Sequence, residues 1–195
     1  MKTSILLPED QKYFSVQELR SKNLSQYEIR QLASRGQLKK LNKSHYENTA
    51  YHGEESDYYC VSAYAPNGVV CLLSAAAYYK LTNYIPDSID VAIPRKSKIS
   101  TLPEWPRLNV WYFTDERYSI GIRRIQEGKN GFQIYDIEKT IVDIVFYRER
   151  VGIEETKEIL TTYLKHMDRN LNQLLDYSRA MKCEGVLRQY LEVLI

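Results

Sequence analysis

The sequence predicts an α+β chain in two parts. A small helical unit with a hairpin comes first, and a mixed α/β domain ending in a helical cluster follows. Three observations carry that expectation. Two Ser-x-x-Glu boxes, Ser15/Glu18 and Ser25/Glu28, stand ten residues apart, each marking a helix start whose hydroxyl and carboxylate satisfy free backbone donors. Short stretches of strand character lie between residues 88 and 135. Helical patterns then run from Asp136 almost to the last residue.

Residues 1–13 leave little room for a leading helix. Pro8 suits the start of a small helical turn, with Leu6, Leu7 and Tyr13 as apolar cover. From Phe14 to Asn48 the chain reads FSVQELRSKNLSQYEIRQLASRGQLKKLNKSHYEN. The first helix is expected to bury Val16 and Leu19, and Lys22-Asn23-Leu24 forms the turn. The second helix is expected to bury Ile29 and Leu32 and to stop at Gly36, a residue free to take left-handed backbone. Leu38, Leu41 and Tyr46 then flank the polar centre Asn42-Lys43-Ser44, as in a short β-hairpin. Helix, turn, helix and hairpin in that order predict a winged helix-turn-helix over residues 1–50.

Residues 51–66 are expected to be a junction. Thr49 to Asp57 is polar, Tyr58–Ala65 suits either a strand or a helix, and Pro66-Asn67-Gly68 is a turn signal. The second domain is expected over residues 67–195. Val69–Leu81 predicts a helix through its Ala run. Strands are expected at Ser88–Pro94, with Ile89, Val91 and Ile93 on one side, and at Leu108–Thr114, Tyr118–Gln126 and Phe132–Tyr135. Asp136 caps a helix through Arg150 with Ile137, Ile141, Ile144 and Val145 on one face. Ile153–His166, Asp168–Met181 and Glu184–Leu194 complete the helical set.

Charge points to a partner. Residues 1–50 hold nine Lys/Arg against five Asp/Glu, a net +4, whereas the whole chain is only +2, so the positive charge is concentrated there. In helix-turn-helix docking the second helix meets base edges through its first residues, and a hairpin wing rests on phosphates. That reading selects Ser25, Gln26, Tyr27, Arg30, Gln31 and Arg35 on the second helix and Lys39, Lys40 and Lys43 on the hairpin. Arg95, Lys96 and Lys98 after one strand, and Arg123 and Arg124 within another, would extend a phosphate footprint if they share its face. The plainer alternative for the first unit is a protein-interaction module that binds no DNA.

A charged fraction of 27% and a hydrophobic fraction of 44% are those of an ordinary soluble protein. Cys60, Cys71 and Cys183 are odd in number and unpaired in spacing, which predicts reduced thiols and a cytoplasmic setting without a disulfide framework or zinc cluster. The apolar run Ile5-Leu6-Leu7 is too short for a signal peptide or a membrane span. His45, His52 and His166 lack metal-ligand spacing, and no phosphate-binding Gly loop or nucleophile elbow occurs, so no cofactor and no catalytic residue is expected. Asp90, Asp136, Glu138 and Lys139 raise the alternative of a metal-dependent nuclease. The acid and lysine of Glu138-Lys139 are adjacent at a helix start, where acids serve the macrodipole, and the structural explanation is preferred.

With these segments in place, the chain resembles the AbiEi family of antitoxins from type IV, abortive-infection toxin–antitoxin systems. The resemblance spans nearly the whole chain. It rests on the winged segment above, on LLSAAAYYKLTNYIPDSIDVAIPRK, and on Glu138-Lys139-Thr140-Ile141-Val142-Asp143, which resembles the family's EKTLVD segment. The wing carries Lys43-Ser44 where a Gly-rich tip is common. The resemblance implies a non-enzymatic antitoxin and autorepressor. Such a protein binds inverted-repeat operator DNA ahead of its own operon. It also opposes a nucleotidyltransferase-like toxin without a stable complex, and has no membrane partner.

Overall fold

The computed structural model describes residues 7–194 and is a mixed α/β fold with two sheets. The expected apolar residues Ile5 and Leu6 lie outside the described residues. At Pro8 the expected helical turn is replaced by a turn at Glu9-Asp10, which leads into strand β1 (Tyr13–Ser15). Ser15 ends that strand and caps helix α1 (Val16–Ser21), and Ser25 caps α2 (Gln26–Ser34). Strands β2 (Leu38–Lys40) and β3 (His45–Asn48) form the expected hairpin. Strand β1 pairs with the far side of β3, giving the order β1-β3-β2. Phe14, Leu19, Leu24, Ile29, Leu32, Leu38 and Tyr46 form a small core between this sheet and the two helices. Val16, expected inside, is half-buried at its edge.

Helix α3 (Tyr59–Tyr64) settles the open reading of the segment after residue 58. Its Tyr59, Cys60 and Val61 pack on the larger sheet, so part of the expected junction is core. That sheet comprises β4 (Val69–Val70), β5 (Ile89–Pro94), β6 (Leu108–Phe113), β7 (Ile122–Glu127) and β8 (Asn130–Tyr135), in the order β6-β5-β4-β8-β7. Strand β4 runs parallel to β8 and antiparallel to β5. Val91 and Val70 face α3 on one side of the sheet, while Ala92 and Val69 face the helical layer on the other. The remaining helices are α4 (Leu72–Tyr78), α5 (Asp115–Ser119), α6 (Ile137–Phe146), α7 (Arg148–Val151), α8 (Ile153–Lys165), α9 (Leu171–Ala180) and α10 (Glu184–Leu194). Among the described residues no helix is long and apolar enough to cross a membrane.

Three expectations need correction. Val69–Leu81 is not one helix: Val69 and Val70 are the central strand, and the helix begins only at Leu72. A two-residue strand buried on both faces shows no alternation, so the adjoining Ala run dominated the pattern. Tyr118 and Ser119 close α5 instead of opening a strand, since Thr114 precedes the acidic first turn Asp115-Glu116. The helix from Asp136 divides at Tyr147 into α6 and α7.

Candidate nucleic-acid interface

The two capping boxes orient the exposed face of α2. Ser15 Oγ accepts the Glu18 N–H at 3.1 Å while Glu18 accepts the Ser15 N–H at 2.7 Å. Ser25 Oγ accepts the Glu28 N–H at 3.3 Å, and Glu28 accepts the Ser25 N–H at 2.9 Å. Between the helices Asn23 takes left-handed backbone (φ 63°), and the buried Leu24 returns its N–H to the Leu19 carbonyl. With Ile29 and Leu32 held inward, Tyr27 and Arg30 are turned out, flanked by the half-buried Gln26 and Gln31. Tyr27 is 64% exposed and accepts the Gln31 side-chain amide at 2.7 Å; Gln26 accepts from Arg20 at 3.2 Å. Ser25 is occupied as a cap. Arg35 ends the helix, exposed, before Gly36 at φ 73°.

Lys39, Lys40 and Lys43 are all exposed on the hairpin. Lys39 lies 3.8 Å from Glu47 across the ladder, a solvent-facing pair that constrains little. The hairpin turn is tied at both ends of one side chain. Asn42 Oδ1 accepts the N–H groups of Ser44 and His45, each at 2.9 Å, while its Nδ2 donates to the Ala63 carbonyl on α3 at 2.9 Å. Asn42 and Ser44 share a cavity of about 140 Å³ with Ser97 and Lys98, so the turn after β5 lies beside the hairpin tip. Arg95 and Lys96 are exposed in that same turn.

Arg123 and Arg124 sit elsewhere, on edge strand β7, paired with Ile134 and Gln133. Adjacent strand residues point to opposite faces, so the two do not form a joint basic face. Arg124 lines a polar cleft of about 290 Å³ together with Ser15, Glu18 and His45. Burial lowers the His45 imidazole below its ordinary range, and Glu18 partly restores it.

The docking of the first unit depends on residues that the sequence did not single out. Asn130 is buried, accepts the Lys12 N–H at 2.8 Å, and donates to the Asp10 carbonyl at 3.1 Å and the Tyr51 hydroxyl at 3.2 Å. Asn48, also buried, braces the unit from within, donating to the carbonyls of Pro8 and Gln11, each at 2.9 Å. Asn130 reads locally as a turn residue beside Gly131, and nothing in its neighbourhood announces partners 118 residues away.

The acids weighed for metal chemistry are each bound into the scaffold. Asp90 accepts from Asn109 at 2.7 Å and Trp111 at 2.9 Å, and takes the Ser74 and Leu73 N–H groups at the start of α4, which has no side-chain cap of its own. Desolvation raises the Asp90 carboxyl, opposed by these donors. Asp136 caps α6 through the Lys139 N–H at 2.8 Å and accepts from Tyr177 at 3.0 Å and Gln173 at 3.2 Å. Glu138 accepts the Asn170 N–H at 2.8 Å and the Tyr163 hydroxyl at 3.2 Å. Lys139 and Asp143 form a wholly buried ion pair, and Arg117 meets the other Asp143 oxygen at 2.7 Å. Among the described residues no group of three His, Cys, Asp or Glu is placed to hold a metal ion. The three cysteines are buried and free, and desolvation raises the Cys60 thiol to about 12.

These features define a mixed α/β protein with an exposed, largely basic helix-and-hairpin face. The chain matches no protein-family model and no curated protein.

Proposed function

We propose that this chain is an antitoxin and transcriptional autorepressor. Residues 1–50 act as a winged helix-turn-helix on inverted-repeat operator DNA upstream of their own operon. Residues 67–195 counteract a nucleotidyltransferase-like toxin in phage abortive infection, and residues 51–66 join the two. The observation that carries the DNA reading is the outer face of α2. Tyr27 and Arg30 are exposed there beside the half-buried Gln26 and Gln31, with Ile29 and Leu32 turned inward and Lys39, Lys40 and Lys43 exposed on the following hairpin. A face of that composition suits a major groove flanked by phosphates. Lys98 beside the hairpin tip offers a further phosphate contact. The antitoxin role rests on the family resemblance of the downstream segments.

The test is fluorescence anisotropy of the full chain on a duplex from upstream of its own coding sequence, against a scrambled duplex, across a salt series. Preference for the upstream duplex with a steep salt dependence supports the reading. Equal and salt-insensitive binding refutes it. Co-expression with the neighbouring toxin tests the second role, where no relief of growth arrest would remove it.

A further inference from the structure

We propose that strand β7 pairs with β7 of a second copy of this chain, joining two sheets into one across a two-fold axis. Strand β7 is an outer strand of the larger sheet, and five of its six residues are exposed. Its two-residue connection to β8, Gly128-Lys129, makes Glu127 and Asn130 a hydrogen-bonded pair. Alternation from that pair turns the N–H and C=O groups of Gln126, Arg124 and Ile122 away from β8 and towards the outer edge. Arg124 and Gln126 are exposed on that edge and line a cleft of about 290 Å³ with Ser15, Glu18 and His45. An outer strand with free N–H and C=O groups is a template for pairing with another chain, and the charges along it decide which strand it accepts.

The sequence of β7, IRRIQE, selects the partner and the register. In a two-fold antiparallel pairing that uses the outward groups, centring on Arg124 sets two arginines opposite each other. Centring on Ile125 instead sets Arg123 opposite Glu127 twice, Arg124 opposite Gln126 twice, and Ile125 opposite itself. Arg124 and Gln126 then exchange backbone hydrogen bonds. Arg123 and Glu127 occupy the closer, non-bonded positions, about 4.5 Å between Cα atoms, where cross-strand charges interact most. Tyr59 holds one Glu127 oxygen, which leaves the other for the incoming arginine. The opposite outer strand, β6 (LNVWYF), has no charged residue and offers no such match.

The experiment is sedimentation velocity of the full chain across a concentration series, without DNA, so its outcome is independent of the DNA reading. The expected result is a concentration-dependent dimer. Arg123→Glu and Glu127→Arg should each weaken it by about tenfold or more, since each change alters two symmetric pairs. The double variant should recover the affinity. Arg124→Pro removes an outward N–H without touching the β7–β8 ladder and should abolish the dimer. Thermal unfolding of each variant separates loss of pairing from loss of fold. A monomer at every concentration overturns the proposal. So does a dimer that is indifferent to both charge reversals, or a double variant no better than either single one.

Discussion

Replacing Asp143 by Asn should destabilise the protein severely at neutral pH and much less in alkaline solution. Asp143 is wholly buried and is the counter-charge for both Lys139, also wholly buried, and Arg117, of which 8% is exposed. Removing one partner of a buried ion pair costs roughly 3–5 kcal/mol, because an uncompensated charge stays inside. A central value of about 4 kcal/mol is roughly a quarter or more of the total stability of a typical domain. Arg117 keeps the Met181 carbonyl at 3.4 Å and the Phe146 ring at 3.7 Å; Lys139 keeps the faces of Tyr135 and Phe113. Burial already lowers the Lys139 ammonium from 10.5, and Asp143 is the main influence restoring it. Without Asp143 the lysine falls further, so a growing share of the folded chain carries it neutral as pH rises. The unfolded state then binds the extra proton, so stability rises with pH up to the unfolded-state value, by at most about 1.4 kcal/mol per pH unit. Guanidinium denaturation at several pH values from about 6 to 10 measures both quantities against the parent chain. A deficit below about 1 kcal/mol at neutral pH, or one that stays flat as pH rises, would refute the reasoning.

Other outcomes follow from the contacts above. Asn130→Ala should loosen the first unit by about 2 kcal/mol, one net hydrogen bond each at Lys12 and Asp10, read as faster amide exchange at Lys12 with the α6 amides unchanged. Arg30→Ala should weaken binding to the upstream duplex by about 1–3 kcal/mol and leave the scrambled duplex almost unaffected; anisotropy at fixed salt decides. Neutralising Lys39, Lys40 and Lys43 together should weaken both duplexes alike and flatten the log-affinity against log-salt plot by roughly 0.9 for each true phosphate contact. Lys98→Gln should lower that slope by a further contact if the turn after β5 also lies on the duplex, and an unchanged slope makes it an ordinary solvated residue.

What was legible in the sequence was what is held by near neighbours. Ser15 with Glu18, Ser25 with Glu28, and Asp136 with the Lys139 N–H close over three residues, so residue identity at fixed spacing reveals them. The alternation of Ile89, Val91 and Ile93 was equally plain, because that strand is long enough to show its period. Strand β4 was hidden, since two valines exist as a strand only through Gln133 and Ile134 on one side and Ala92 and Val91 on the other. The Glu138–Asp143 segment was visible as a motif, but the scaffold role of its charges was not. Lys139 and Asp143 at helical spacing look like a surface pair, and only the strands and helices packed around α6 place them inside. For the candidate interface, the exposed residues of α2 followed from its amphipathic pattern. That Lys98 lies by the hairpin while Arg124 opens onto a cleft depends on connections no local rule supplies.

The anchorage of the first unit on Asn130 orders events during synthesis. The unit has its own apolar core and needs nothing beyond Asn48 to close its sheet, so it can form as soon as that much chain has left the ribosome. The side chain that accepts the Lys12 N–H is made 118 residues later, and β8, the strand it begins, is also the parallel partner of β4. Until then the first unit has its contacts to α3, such as the Asn42 bond to the Ala63 carbonyl, but not this anchor. Locking the unit at Asn130 and completing the larger sheet therefore belong to one late step, so a ribosome paused shortly before residue 130 would hold a chain whose helix-and-hairpin face is formed but lacks its last anchor.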